Sequence, residues 1–303
     1  MTANTNKSGR ILKYVVLIVV VINLAIVAVV FLGANEPQPH AMPNPNGYDD
    51  FVKAGQVLAW IPGDYNTMSK DELAALVATN QEALKLVRVG LGRESRVPDD
   101  YSPDYVAQAT SLNREASFKR LACLLAAEGK SAELAGRTNE AARIYLEGIR
   151  FGQKSSQGGV VISRLVGISC EAISMGRLEP LGNQLDGQAC HEIAQALEAI
   201  DATEEPVEET LNQEKLWSRK VFGLRGQITA LVMYKSIRES KNKFVRRVQA
   251  STLRRRQLIL TLAARAYELE KGKRAQSAAD LVPGYLKAVP QDPVTGTNLV
   301  LGP

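Results

Sequence analysis

Residues 14–32 read YVVLIVVVINLAIVAVVFL and contain one polar residue, Asn23, and no charge. As a helix, this run would span about 28 Å, close to the roughly 30 Å hydrocarbon core of a bilayer. The sequence therefore predicts a single N-terminal transmembrane helix at 14–32, preceded by a short cytoplasmic segment, residues 1–13.

The length of the run favours an uncleaved anchor over a cleaved signal peptide, whose apolar core usually has about 7–15 residues. The best cleavage site places the bulky Leu32 where a small residue is preferred. Lys7, Arg10 and Lys13 precede the run without an acidic residue, and positive flanks stay in the cytoplasm. We therefore expect the span in the cytoplasmic (inner) membrane, the N-terminus inside, and residues 34–303 extracytoplasmic.

The basic composition does not indicate a nucleic-acid partner. All 32 acidic residues and all but three of the 37 Lys and Arg follow the span, so the outer part has little net charge. Aromatic residues make up only 6% of the chain, so few can stack on bases. Leu and Ala recur at helical spacing through the outer part, which predicts a mainly α fold.

Composition and turn signals divide the chain further. Residues 33–47, GANEPQPHAMPNPNG, hold four prolines and predict an extended, Pro-rich tether. Residues 48–272 predict an all-helical extracytoplasmic domain, in which Ser69 and Glu72 form a capping box. Residues 273–303 predict a small, irregular, turn-rich C-terminal module that packs on the last helix. Within it, DPVTG at 292–296 predicts a turn that leads to a short strand at 298–301.

One part of the helical domain resembles a tetratricopeptide unit. Gly129, Gly136, Ala141, Tyr145 and Gly148 occupy the positions where such a unit has small, small, Ala, aromatic and small residues. A shift of about 34 residues finds no second copy, and repeat arrays need at least about three units. The sequence therefore predicts one close-packed helical hairpin rather than a peptide-binding array.

Charge is divided sharply in the second half of the chain. Residues 186–214 contain nine acidic residues and no Lys or Arg, whereas 215–256 contain thirteen Lys and Arg and one acidic residue, Glu239. Either acidic and basic helical faces neutralise each other, or the basic stretch binds anionic lipid headgroups or a cell-wall polymer. The candidate residues of such a surface are Lys241, Lys243, Arg246, Arg247, Arg254, Arg255 and Arg256.

The sequence offers no catalytic, cofactor-binding or metal-binding residues that can be assigned. His191 and Glu192 begin a motif like that of zinc proteases, but Gln195 stands where the second His is required. No cofactor is expected.

Three cysteines, Cys123, Cys170 and Cys190, lie in apolar helical contexts. Such contexts favour buried free thiols, with a Cys170–Cys190 disulfide as the alternative.

The C-terminal stretches SAADLVPGYL (277–286) and VPQDPVTG (289–296) carry a family resemblance. This tail resembles the C-terminal segment of many uncharacterised, membrane-anchored, largely helical bacterial proteins of the planctomycete type. It is similar, more distantly, to the C-terminal part of the major pseudopilin of type II secretion. The first resemblance implies location and architecture but no activity, and the second implies an envelope assembly.

Together these features predict a membrane-anchored extracytoplasmic scaffold or interaction protein with no evident catalytic site. Its expected partners are the membrane itself, proteins of the envelope and an anionic lipid or cell-wall polymer, without nucleic acid. The alternatives are a component of a secretion or pilus-like envelope assembly, and a carboxylate-dependent enzyme whose substrate the sequence does not indicate.

Overall fold

The computed structural model describes residues 41–59, 61, 65–99 and 105–302, together with positions 14, 17, 18, 20 and 21. The chain divides into two compact units, Met1–His40 and Ala41–Pro303, and the second is called the body below.

Most of the predicted anchor and tether, and all of residues 1–13, lie outside the described residues. The five described positions of the apolar run are helical and exposed. Among the residues that the structure describes, no helix combines the length and the hydropathy needed to cross a membrane.

The described part of the body consists of nine α-helices and short 3-10 turns, so the prediction of a mainly α fold is confirmed. The helices are α1 (Gly47–Val57), α2 (Lys70–Thr79), α3 (Gln81–Leu91), α4 (Tyr105–Leu134), α5 (Thr138–Lys154), α6 (Val161–Leu181), α7 (Gly187–Ala202), α8 (Val207–Val232) and α9 (Tyr234–Lys271). The turns are Tyr65–Thr67, Gly182–Gln184 and Ala278–Leu281.

Several helix ends follow from capping residues. The Ser69 hydroxyl accepts a hydrogen bond from the Glu72 amide at 3.3 Å, and the Glu72 carboxylate accepts one from the Ser69 amide at 2.7 Å. This reciprocal pair confirms the predicted capping box at the start of α2. Gly272 ends α9 at φ 66°, a left-handed conformation that glycine adopts without strain.

Small residues bring the central helices close together. A Cβ atom on Gly129 of α4 would overlap the ring of Tyr145 of α5, and one on Gly148 of α5 would overlap Ser174 of α6. Helices α4 and α5 therefore pack at short range.

The body contains a hydrophobic core of its own. The buried apolar side chains that the structure describes all lie between Tyr48 and Leu286, and most of them form one continuous cluster. Because Ala41–Pro303 is a compact unit that contains this core, we expect the body to fold without residues 1–40.

Helix α9 changes environment along its length. Every residue from 233 to 243 is exposed, whereas Phe244 and Val248 are buried against Ile168 of α6 in a small second cluster. Beyond this point α9 packs on α6 and α7.

The C-terminal module packs on α9 through buried Leu281, Tyr285 and Leu286, which confirms its expected position. The predicted strand at 298–301 is wrong. The described residues there form only an isolated bridge between Gln291 and Asn298.

Candidate functional site

The structure divides the seven candidate surface residues into two groups, all on α9. The exposed cations are Lys241, Lys243, Arg246 and Arg247. The paired arginines are Arg254, Arg255 and Arg256.

Arg255 lies at the centre of a buried ionic cluster. Its side chain is 0% exposed, and its Nη1 donates to Oε2 of Glu171 at 3.1 Å. Its Nε and Nη2 donate to Oδ1 of Asp201 at 3.1 and 2.9 Å, and Nη2 also contacts Glu204. Burial therefore makes the prediction of Arg255 as a surface residue wrong.

A second arginine of the cluster comes from a different helix. Arg164 of α6 is 2% exposed and pairs with Glu204, which follows the end of α7. The Thr252 hydroxyl donates to Oε2 of Glu204 at 3.0 Å. The cluster thus ties α6, the end of α7 and α9 together through charged hydrogen bonds, which are stronger than neutral ones.

The other two paired arginines are closer to the surface. Arg254 is 41% exposed and donates from Nε and Nη2 to the two carboxylate oxygens of Glu179 at 2.6 and 2.7 Å. Arg256 is 25% exposed and donates to Oδ2 of Asp201 at 2.8 Å. Both cations are therefore already held by carboxylates of the body.

The buried cluster is balanced in formal charge. Three arginines, Arg164, Arg255 and Arg256, face three carboxylates, Glu171, Asp201 and Glu204. Such a balance is required because an unpaired charge in a protein interior costs several kcal/mol.

Burial raises the pKa of Glu171, although Arg255 and Arg164 act to lower it. Burial also opposes the charge of Arg255, but the carboxylates of Glu171, Glu204 and Asp201 outweigh this effect and raise the pKa of Arg255. Arginine keeps its proton in proteins, so Glu171 is the group in this pair whose protonation can change.

Other acidic residues of the 186–214 stretch bind backbone amides. Both carboxylate oxygens of Glu205 accept hydrogen bonds from the Gly158 amide, at 3.0 and 3.1 Å. Glu214 accepts one from the Val161 amide at 3.0 Å, at the start of α6. An anionic group is favourable at this end of a helix because the helix dipole is positive there.

Two cavities in the described part of the body are candidate sites for chemistry. One, of about 70 Å³, lies between Tyr48, Gly158, Ser163 and Trp217, and the other is a groove of about 460 Å³ between α9 and the C-terminal residues. Neither cavity is lined by a member of the cluster. The cluster therefore presents no carboxylate to a substrate in either place.

The motifs that resemble metal sites do not assemble one in the described structure. The His191 ring lies 5.4 Å from the ring of Tyr285, and its Nε2 is 2.9 Å from the side-chain amide of Gln195. Within the described ranges, no three His, Cys, Asp or Glu residues are placed to hold a metal ion.

The cysteines are free thiols in this structure. Cys170 and Cys190 are buried and Cys123 is half-buried. The prediction of buried free thiols is thus confirmed for two of the three, and the alternative Cys170–Cys190 disulfide is not formed. Burial raises the pKa of Cys190 to about 11, which makes its thiol a poor nucleophile.

The exposed cations differ from the paired arginines in their surroundings. Among the described residues, Lys241, Lys243, Arg246 and Arg247 have no carboxylate within ion-pair distance. They lie on a helix whose next arginines, from Arg254 onward, are all paired. The arrangement leaves a local excess of positive charge at the solvent boundary, where an anionic partner can approach.

Sequence reasoning missed two members of the ionic cluster, Arg164 and Glu171. They lie in the apolar stretch 160–176, which predicts a core helix. Their separation of seven residues, two helical turns, places them on one face and is a signal for a buried pair.

No protein-family model matches this chain, and neither a curated protein nor a solved structure is significantly similar to it. The resemblance of residues 277–296 to envelope proteins stays a prediction from sequence.

Proposed function

We propose that the protein is a membrane-anchored extracytoplasmic scaffold or interaction protein whose body binds an anionic surface through Lys241, Lys243, Arg246 and Arg247. One observation carries the proposal. These four cations are exposed without a described acidic partner, on the helix whose later arginines are all neutralised.

The expected strength of such a surface is moderate. A basic residue near an anionic membrane contributes about 1 kcal/mol, so four contribute about 4 kcal/mol. An energy of that size corresponds to a dissociation constant of about 1 mM for an isolated site. Attachment to the same membrane would raise the effective concentration and make this weak contact sufficient.

The sequence supports the location in this proposal. The apolar run 14–32 has the length of a membrane span, and its basic flank predicts that residues 34–303 are outside the cytoplasm. The part of the Pro-rich tether that precedes the body, residues 33–40, would extend about 3.1 Å per residue and so reach roughly 25 Å from the bilayer. A body held within that range can meet the headgroups of the membrane that anchors it.

Two finer features belong to the same proposal. The tetratricopeptide-like hairpin around Gly129 and Tyr145 stiffens the body by close helix packing, and the C-terminal module closes one end of α9. In this arrangement the helical domain is a rigid support that presents the exposed cations, rather than a peptide-binding array.

The proposal is tested by binding of the purified body, residues 41–303, to vesicles that contain anionic phosphatidylglycerol and to vesicles of phosphatidylcholine alone. We expect binding to the anionic vesicles only, weakened by salt because exposed charges are screened. Replacement of Lys241, Lys243, Arg246 and Arg247 by Gln should abolish it.

A matched control removes the same number of positive charges from the body outside α9. Lys53, Lys70, Lys85 and Lys119 are exposed cations outside α9, and their replacement by Gln should leave binding nearly unchanged. If the two fourfold variants lose affinity equally, only net charge matters and the proposed site is wrong. Absence of binding by the wild-type body at low salt would refute the function itself.

A further inference from the structure

The segment from Phe222 to Lys243, here called the arm, carries exposed side chains at its described positions. Gly223 interrupts α8 with φ 53° and ψ −141°, a backbone conformation that favours glycine. The backbone is helical again from 224 to 232, and every residue from 233 to 243 is exposed.

Four large apolar side chains are exposed among those that the structure describes in the arm. Phe222 and Met233 are 50% exposed, Tyr234 is 64% exposed and Ile237 is 48% exposed. Elsewhere in the described body, exposed large apolar residues such as Val57 and Leu134 occur singly, except for Val294 and Val300 near the C-terminus, which are six residues apart. Scattered apolar residues are normal at a protein surface, whereas a local group indicates an interaction site.

Two of these side chains extend the buried stripe of α9. Tyr234 and Ile237 are three residues apart, and Phe244 and Val248 follow Ile237 by seven and eleven residues, so all four share one helical face. Phe244 and Val248 are each 4% exposed because Ile168 and its neighbours cover them. At Ile237 the same stripe is open to solvent.

Cations flank the open part of the stripe, and Lys241 lies on it between Ile237 and Phe244. Lys235, Arg238, Lys241 and Lys243 are exposed on the arm, with Glu239 as the only acidic residue between Lys215 and Arg256. None of the four cations has an ion-pair partner among the residues described.

We infer that the arm docks on an anionic phospholipid bilayer and inserts the side chains of Tyr234 and Ile237 at the level of the headgroups. A bilayer offers negative charge and an adjoining apolar phase, and basic helices with exposed aromatic and aliphatic residues bind at that boundary. A cell-wall polymer would satisfy the cations but leave Tyr234 and Ile237 in water. The inference rests on the proposed function and names its partner.

The first test compares two double variants of the body, 41–303, on vesicles with about 30% phosphatidylglycerol, a content high enough to give a negative surface potential. Tyr234→Ser with Ile237→Ser should weaken binding about tenfold or more, since two apolar side chains lose their burial. Leu134→Ser with Leu269→Ser, at residues 48% and 42% exposed on the body, should change it less than about twofold. Circular dichroism should show equal helicity for both variants and wild type.

Binding to soluble inorganic polyphosphate separates this inference from the proposed function. We expect wild type and the Tyr234→Ser, Ile237→Ser variant to bind polyphosphate equally, because it supplies charge without an apolar phase. If that variant keeps wild-type affinity for the vesicles, insertion is wrong while charge-dependent binding stands. If it loses affinity for polyphosphate as well, the apolar side chains support the arm rather than bind lipid, and the inference is again overturned. If wild type binds neither target, the proposed function fails and the inference fails with it.

Insertion can also be measured directly. A bimane fluorophore on Tyr234→Cys, with Cys123→Ser to remove the half-buried thiol, should be quenched by bromine-labelled phosphatidylglycerol vesicles. The same fluorophore on Leu134→Cys should not be quenched. Equal quenching at both positions, or none at either, would contradict docking through the arm.

Discussion

The two halves of α9 carry the same kinds of cation in opposite environments. In residues 234–247 the Lys and Arg side chains are exposed and without a described acidic partner. In residues 248–271 every arginine is paired, and Arg255 is completely buried. Because both halves are Arg-rich and helical, the difference comes from what packs beside them.

The neighbours of the second half are acidic and close. Glu171 and Glu179 on α6, with Asp201 and Glu204 at the end of α7, hold Arg254, Arg255 and Arg256. The first half extends beyond those helices, and among its described residues Phe244 and Val245, at its end, pack in the small cluster that contains Ile168 of α6. The structure therefore favours neutralisation by acidic residues in the second half of α9 and an exposed basic surface in the first half.

The largest expected difference between the halves is in amide hydrogen exchange. Amides in 234–243 should exchange at least about a hundred times faster than those in 255–266, because local opening exposes little apolar surface in the first half. Exchange followed by mass spectrometry measures both segments in one sample, and α7 supplies a buried reference. Equal protection from amide exchange along the whole of α9 would show that its two halves do not differ in local stability.

Removal of Arg255 should have the largest effect on stability. Arg255→Ala removes the counter-charge of Glu171, which is 1% exposed, and one of the arginine partners of Asp201 and of Glu204. We expect the free energy of unfolding to fall by about 3–5 kcal/mol, because a buried charge is left unpaired. Urea unfolding of the body measures this loss. Arg247→Ala, an exposed cation on the same helix, should change stability by no more than about 0.5 kcal/mol. A loss of less than about 1 kcal/mol in the free energy of unfolding for Arg255→Ala would mean that the ionic cluster does not stabilise the fold.

The pH dependence of stability tests the protonation of the buried cluster. Burial raises the pKa of Glu171 above its ordinary value of 4.5, so the folded state holds this proton more tightly than the unfolded state. The contribution of protonated Glu171 to the stability of the folded state is fully present below about pH 4.5 and is lost as the pH rises through the folded-state pKa. Glu171→Gln should therefore lose less stability than wild type as the pH rises above about 4.5, with a slope difference of at most about 1.4 kcal/mol per pH unit.

Urea unfolding at several pH values measures this slope difference. The control Glu82→Gln removes an exposed carboxylate from α3 and should follow the wild-type curve. Parallel curves for wild type and Glu171→Gln would show that Glu171 does not change protonation in this range.

The helical class and several boundaries could be predicted because their causes are local. The spacing of apolar residues fixes the helical period, and the Ser69–Glu72 box and Gly272 act within one turn of the chain. The turn after Asp292 also formed as predicted, since its carboxylate accepts hydrogen bonds from the Val294 and Thr295 amides. The strand predicted after it failed because a strand needs a partner, and only one bridge forms there.

The candidate site could be predicted only in part because ion pairing depends on distant residues. The sequence separates acidic from basic stretches but does not show which cations the acidic residues reach. Arg255 lies 84 residues from Glu171, and only the packing of α6 against α9 joins them. Lys241, Lys243, Arg246 and Arg247 are exposed on the helix, but their role as a binding surface stays a prediction. Arg255 is buried, and its burial depends on that same packing.

The smallest predicted effect is at Arg254. It allows an exposed ion pair to be compared with a buried one within the second half of α9. Its two hydrogen bonds to Glu179 have good geometry and raise the pKa of Arg254, but the side chains are 41% and 34% exposed. Solvent screening limits such a pair to about 0.5–1 kcal/mol, and salt should weaken it further. A double-mutant cycle of Arg254→Gln and Glu179→Gln, measured by urea unfolding at low and high salt, gives the coupling energy directly. The same cycle for Arg255 and Glu171 should be larger and less sensitive to salt, because water and ions do not reach a fully buried pair. If both cycles gave equal coupling energies with equal salt dependence, burial would not explain how the Arg255 and Arg254 pairs differ. A nearby carboxylate, buried or exposed, would then be enough to account for the coupling energy of either arginine.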